Sequence, residues 1–345
     1  MPRLAFLGPR ATFTEQALLS LPEADGAELL PCTGVSAALA AVRDGTADAA
    51  CVPFENSVEG GVPAVMDALV ADPPLVIVRE AQVVVRFALM ARAGTALADI
   101  RSVASHPHGE AQTRMWLRDN LPHATVMMSS STAEAAAQVA RGEVDASVSA
   151  PVAATVHGLE ILADDIADRF DDAAAAITRF VLVRPAGPPP APTASDRTTV
   201  AATTENRPGA LLGVLTELAV RGIDLTRIES RPIKGRSGSD SPEYWFHLDC
   251  TGHVAQPAMG EALAALHRRC TEVRYLGSYP RVATPCGTPG AARSGGAAAV
   301  PAGNPDGVPP APPVPAAPEA LNGISEQRFR AAAEWLADVR AGRRT

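Results

Sequence analysis

The sequence predicts an α/β protein made of two lobes with parallel-type sheets followed by a smaller α+β unit, on three observations. Strands and helices alternate through residues 1–183, the pattern of parallel sheets with helices on both faces. A stretch rich in proline and small residues, 185–197, then interrupts the alternation and reads as a semi-rigid linker. Beyond it, over residues 198–280, the order is strand, helix, strand, strand, helix, strand, which is that of a ferredoxin-like sandwich, a fold that commonly pairs with itself.

Composition narrows the function. The 345 residues allow two or three domains. A net charge of -8 offers no basic field for nucleic acid or an anionic membrane surface. The five cysteines are widely spread, without a C-x-x-C pair, which argues against a disulfide framework or a structural zinc. The apolar run at 4–7 is too short for a signal peptide, and no later run is long enough to span a membrane. The expectation is a cytoplasmic protein with reduced thiols.

The first part is organised around residues 52–61. There an apolar strand, 47–54, ends in Glu55, Asn56 and Ser57, and a helix, 63–69, begins with proline in its first turn. Polar groups at the carboxyl end of a strand, beside free helix N–H groups, suit an anionic ligand. The plainer alternative is a turn capped by Ser57. Earlier, the strand 4–7 runs through Gly8 to Thr12 and Glu15, which have capping-box spacing before a helix over 15–21. A helix over 37–43 stops at Gly45.

Extended segments at 75–78 and 81–90 open the second lobe. The strand 100–104 leads into Ser105, His106, His108 and Gln112, with a helix over 110–120. The two histidines lack a third ligand at zinc-like spacing, so no metal is expected. Ser131 and Glu134 repeat the capping-box spacing before a helix over 133–141. Residues 161–176 are acidic and irregular, and they end in Thr178 and Arg179 just ahead of the strand that returns to the first lobe. After the small unit, residues 281–323 are Pro, Gly and Ala without periodicity and are expected to be disordered. Residues 324–345 recover helical spacing, with Phe329, Ala332, Trp335 and Val339 on a face that should dock on an apolar surface.

Four segments, residues 8–15, residues 53–60, Ser105-His106-Pro107 with Gln112, and Thr178-Arg179-Phe180, resemble the signature segments of prephenate dehydratases in the family's order. Residues 205–211 and 228–232 resemble the two phenylalanine-binding motifs of the family's regulatory ACT domain. The resemblance covers about residues 3–281. It departs from the family at Phe54, usually Ile or Leu, at Ala11, usually Gly, and at 173–176, where polar residues are commoner.

What the resemblance implies is a two-lobed, periplasmic-binding-protein-like catalytic domain over 1–184, with lobe 1 at 1–76 and 160–184 and lobe 2 at 77–159. The ACT domain would follow at 198–280, in a monofunctional enzyme without a chorismate mutase domain. The family removes carbon dioxide and water from prephenate to leave phenylpyruvate, with no cofactor. Thr178 is the implied donor to the departing hydroxyl, and Glu55 is an alternative proton source. Asn56 and Gln112 would orient the substrate. Helix N-termini beside Thr12, Ser57 and Ser131 would help hold its carboxylates, Ser105 would also bind substrate, and Arg179 would serve as a clamp or as a structural ion-pair partner. L-Phenylalanine would bind at Asn206, Pro208, Gly209, Ala210, Leu211, Glu229 and Ser230, between ACT domains paired in a homodimer or homotetramer. Two other readings stay open: an arogenate dehydratase, and a non-catalytic protein that binds or senses an amino acid.

Overall fold

The computed structural model describes residues 1–168, 176–233, 243–282 and 326–345. The chain lays down β1 (Arg3–Leu7), α1 (Phe13–Leu19), β2 (Glu28–Cys32), α2 (Val35–Arg43), β3 (Ala49–Asn56), β4 (Gly60–Gly61), α3 (Pro63–Leu69) and β5 (Leu75–Val84) as the first lobe. The second lobe takes β6 (Ala88–Ala91), β7 (Ser102–Ser105), α4 (Pro107–Ala111), α5 (Arg114–Asn120), β8 (Thr125–Met128), α6 (Thr132–Ala140), β9 (Ala146–Ser149), α7 (Val152–His157) and β10 (Glu160–Ala163). Then β11 (Ile177–Pro185) re-enters the first sheet, whose order is β2-β1-β3-β11-β5 with β4 beside β3; the second sheet runs β10-β6-β9-β7-β8.

Both sheets are of the expected parallel type, with antiparallel strands added. β1 is parallel to β2 and β3, but β11 is antiparallel to β3 and β5. The chain leaves the first lobe at the end of β5, so the strand that comes back starts at that end and runs the other way.

The lobe boundaries also move. β5 belongs wholly to the first sheet and β10 pairs with β6 in the second, so the lobes comprise 1–84 with 177–185, and 85–168, in place of divisions at 76 and 160. Glu80 disguised the strand: its carboxylate is buried beside Arg179 and Arg197, 3.4 Å from each, so a charge lies inside a continuous β5. The helix expected over 110–120 is two helices, because Asp168 accepts the N–H groups of Met115 at 2.7 Å and Trp116 at 2.9 Å and so caps a fresh start at α5. The irregular segment 161–176 opens as β10; its residues 169–175, including the alanines from 173, lie outside the described residues.

The smaller unit is β12 (Asp196–Thr203), α8 (Ala210–Ala219), β13 (Leu225–Pro232), β14 (Tyr244–Thr251), α9 (Pro257–Arg269) and β15 (Glu272–Pro280), an antiparallel sheet of order β13-β14-β12-β15. This is the expected ferredoxin-like arrangement. Alternate residues divide its faces. Val200, Ala202 and Leu248 pack with Val214 and Leu263 of the helices, whereas Ala201, Trp245, Leu276 and Tyr279 join Phe54, Ile77 and Val181 of the first lobe in one buried cluster. The sheet therefore lies directly on the back of the first lobe. After residues 283–325, which hold nearly all of the stretch expected to be disordered and lie outside the described residues, α10 (Glu326–Arg340) docks on α9. It adds Trp335 and Val339 to the helix-side core, with the Trp335 ring stacked on His267 at 4.8 Å.

Candidate active site

A cavity of about 750 Å³ lies between the lobes. Its walls are the turns where strands end and helices begin: Thr12 before α1, Asn56 and the 59–63 turn before α3, His106 before α4, and Ser131 before α6. Thr178 and Phe180 supply the floor from β11.

Thr178 and Asn56 are register partners on β11 and β3. Asn56 Nδ2 donates to Thr178 Oγ1 at 2.9 Å, while Asn56 Oδ1 accepts the N–H groups of Val58 at 2.8 Å and Glu59 at 3.1 Å. Those two bonds fix the orientation of the amide. Because the Thr178 hydroxyl already accepts from Asn56, its own proton is left to donate into the cleft.

Thr12 and Ser131 cap their helices as expected, Thr12 Oγ1 accepting from Glu15 N at 3.3 Å and Ser131 Oγ from Glu134 N at 2.9 Å. What they leave facing the cavity is uncommitted first-turn N–H groups and the positive ends of peptide dipoles. Ala11, ahead of α1, is buried and left-handed, with φ 66°, and its N–H donates to Glu15 Oε2 at 2.5 Å.

Across the cavity, His108 Nδ1 lies 2.9 Å from Glu59 Oε1, and Gln112 Nε2 donates to the same oxygen at 3.4 Å. The His106 ring stacks on His108 at 5.1 Å. Burial, with the adjacent His108, holds the His106 imidazole below its ordinary pKa.

Five expected site residues prove to be elsewhere. Arg179 alternates with the cavity-facing Thr178 and Phe180, and its register partner Glu55, set off from the cavity-lining Pro53 by a shift in register, turns with it to the opposite side of the sheet. There Arg179 Nη2 pairs with Glu55 at 2.8 Å and with Asp249 of β14 at 2.5 Å. Arg179 is thus the structural ion-pair partner, not the clamp, and Glu55 is bound to Arg179 and Arg227 away from the cavity. Ser105 is fully buried behind the wall and donates to Val148 O at 3.1 Å. Ser57 caps no helix; its Oγ accepts the Ile177 N–H at 3.0 Å and ties the turn to β11. Glu229 lies on the inward face of β13, paired with Arg227 instead of being free for a ligand ammonium.

Together Glu229, Arg227 and Met66 close so tightly over Gly61 that any Cβ there would collide with them. The small unit thus presses on the cavity turn itself. Arg227 also lies over the Phe54 ring, 5.2 Å from its centroid, opposite Arg179 at 4.7 Å. At the other end of this unit the 205–209 turn is exposed and Gly209, with φ 78°, caps α8. Ala210 and Leu211 begin that helix, and Ser230 faces outward on the edge strand β13.

Glu59 and His108 escaped the list of expected site residues. Their signal was a carboxylate and an imidazole in two turns that each follow a strand end, and only the meeting of the lobes makes them partners. Among the described residues no three His, Cys, Asp or Glu side chains gather as a metal site would need, and no helix is long and apolar enough to cross a membrane.

Two mixed α/β lobes closing on a cavity lined by hydroxyls, amides and helix starts, with a ferredoxin-like unit docked behind, define the class: a two-lobed cleft protein carrying an appended regulatory-type sandwich. The family model of prephenate dehydratase matches residues 4–187, and the chain belongs to the prephenate dehydratase family. A relative from Amycolatopsis methanolica, a prephenate dehydratase, is 51% identical over 284 residues, which are 81% of this chain and 89% of the relative. The solved structure of prephenate dehydratase from Arthrobacter aurescens in complex with L-Phe matches with a TM-score of 0.73 at 43% identity, covering 82% of this chain and 93% of that one. GqqA, a quorum-quenching acylase, matches with a TM-score of 0.70 at 33% identity, covering 82% of this chain and 98% of that one.

Proposed function

We propose that this protein is a prephenate dehydratase, a carbon-oxygen lyase of phenylalanine biosynthesis, regulated by L-phenylalanine at residues 198–280. The observation that carries the reading is the Asn56–Thr178 bond at 2.9 Å, which leaves the hydroxyl of a cavity-lining residue with its own proton to donate. In the reaction the ring carboxylate leaves as carbon dioxide, its bonding electrons enter the ring, and the ring hydroxyl departs with its bonding electrons, the hydroxide taking up one proton from solvent to become water. Aromatisation drives the process, and the protein has to hold two carboxylates and stabilise the departing oxygen. First-turn N–H groups beside Thr12 and Ser131 suit the carboxylates. Thr178 suits the departing oxygen as a positioned donor, with Gln112 as an orienting amide across the cavity. An acylase activity, the one GqqA is named for, would be served by a nucleophile bonded to a base, whereas Thr178 accepts from an amide that cannot act as one.

Regulation is supported by the L-Phe complex of the similar Arthrobacter enzyme and by the contact of β13 with the 55–61 turn. A ligand that moves β13 would move Arg227 and Glu229 against Glu55 and Gly61, and so reach Asn56 through the turn. Phenylalanine would bind at the exposed start of α8 and the outer face of β13, at Asn206, Pro208, Gly209, Ala210, Leu211 and Ser230. Pairing of two such edges, each with Ile228 and Leu212 exposed, would make the protein a homodimer or a homotetramer.

The test is to incubate purified protein with prephenate, following phenylpyruvate by its absorbance in alkali, and separately with arogenate, following the phenylalanine that its aromatisation would leave. Turnover of prephenate that L-phenylalanine slows is the expected result. Preference for arogenate would move the protein to that substrate, and no turnover of either would overturn the reading.

A further inference from the structure

We propose that Glu59 and His108 form a latch across the cleft, a pair of positioning residues that sets the spacing of the lobes for the reaction; this rests on the dehydratase reading. Glu59 belongs to the first lobe and His108 to the second, so their 2.9 Å contact, together with the Gln112 bond at 3.4 Å, must break whenever the lobes part. The backbone N–H of Glu59 is held at 3.1 Å by Asn56 Oδ1, and the same amide donates to Thr178 Oγ1 at 2.9 Å. Closure is thereby registered one residue from the proposed donor.

Glu59, His106 and His108 are the ionisable side chains among the residues lining the cavity. A bare carboxylate there would repel a substrate that carries two of its own. Held by the His108 imidazole at 2.9 Å, it is turned to the other lobe and becomes a fastening. The two side chains are 44% and 63% exposed, so the pair adds little to fold stability and contributes position instead. His108 faces Glu59 from the first lobe and the His106 ring on its own lobe, and Gln112 beside them is uncharged.

Steady-state kinetics of the full chain with prephenate test this. Glu59→Ala and His108→Ala each raise KM about tenfold, with less effect on kcat, and the double variant is no worse than either single one, because both remove one shared interaction. The exchanged pair, Glu59→His with His108→Glu, recovers most of the loss, which separates a latch from damage to the fold. A carboxylate that did no more than repel substrate would give a lower KM in Glu59→Ala, and that result, or effects that multiply in the double variant, overturns the latch. Wild type without turnover would count against the dehydratase reading alone. In that case amide hydrogen exchange still decides: faster exchange over 57–61 and α4 in Glu59→Ala supports the latch, and unchanged exchange overturns it.

Discussion

Thr178 and Arg179 are consecutive residues that face opposite sides of one sheet: the hydroxyl meets Asn56 at 2.9 Å over the cavity, and the guanidinium meets Asp249 at 2.5 Å beneath it. One strand therefore carries the proposed donor on one face and the anchor of the appended unit on the other. Substitutions at the two positions should separate cleanly into effects on turnover and effects on stability.

Thr178→Ala should lower kcat by about 10²–10³-fold, the usual cost of losing one donor aimed at developing negative charge. KM should change little, and Thr178→Ser should recover much of the rate. Phenylpyruvate production under saturating prephenate measures this; kcat within twofold of wild type in the alanine variant would remove Thr178 from the role.

Arg179→Met should leave Asp249 and Glu80 buried with Arg197 as the cation they still share and cost up to about 3–5 kcal/mol of stability, read as a lower midpoint in denaturant. Burial pushes the Asp249 carboxyl up, but Arg179, Arg197 and Arg227 hold it below the ordinary 3.8. A carboxyl with a lowered folded pKa stabilises fully above its unfolded value, and the contribution is lost as pH falls through the folded one. Wild type should therefore lose stability below pH 3.8, and Asp249→Asn should flatten that part of the curve.

Ala11→Gly should stabilise the protein by up to about 1 kcal/mol, since a left-handed backbone costs a non-glycine residue about 1–2 kcal/mol and the gain is partly offset in the unfolded chain. Thermal unfolding checks it. A fall in midpoint would mean that packing of the buried methyl outweighs the backbone strain.

Gly209→Val should raise the L-phenylalanine concentration needed for half inhibition. The cause is backbone strain more than crowding, because a Cβ there meets nothing within 4 Å, while φ 78° is a conformation that β-branched residues avoid. Inhibition unchanged in this variant would put the effector elsewhere.

Local physics determined a good deal before any tertiary contact was known. Alternation of strand and helix, the capping pairs Thr12–Glu15 and Ser131–Glu134, and the βαββαβ order after the linker all follow from short-range periodicity and hydrogen bonding, and each stands in the structure where it was expected. Asn56 was legible as a polar residue at a strand end, and Thr178 and Gln112 through the resemblance to the family's segments; all three line the cavity. Which side of a strand a residue faces was harder to read. Glu55 and Asn56 are neighbours with similar surroundings in the sequence, and only the register of β3 with β11, which shifts between Arg179 and Phe180, sends one to the cavity and the other to Arg179 and Arg227. Glu80 sits inside a strand because Arg179 and Arg197 neutralise it from other strands, α5 starts where it does because Asp168 arrives from far along the chain, and Glu59 finds His108 because two lobes close. Pairings between groups tens or hundreds of residues apart leave no periodic trace in the chain, so the tertiary structure alone decided them.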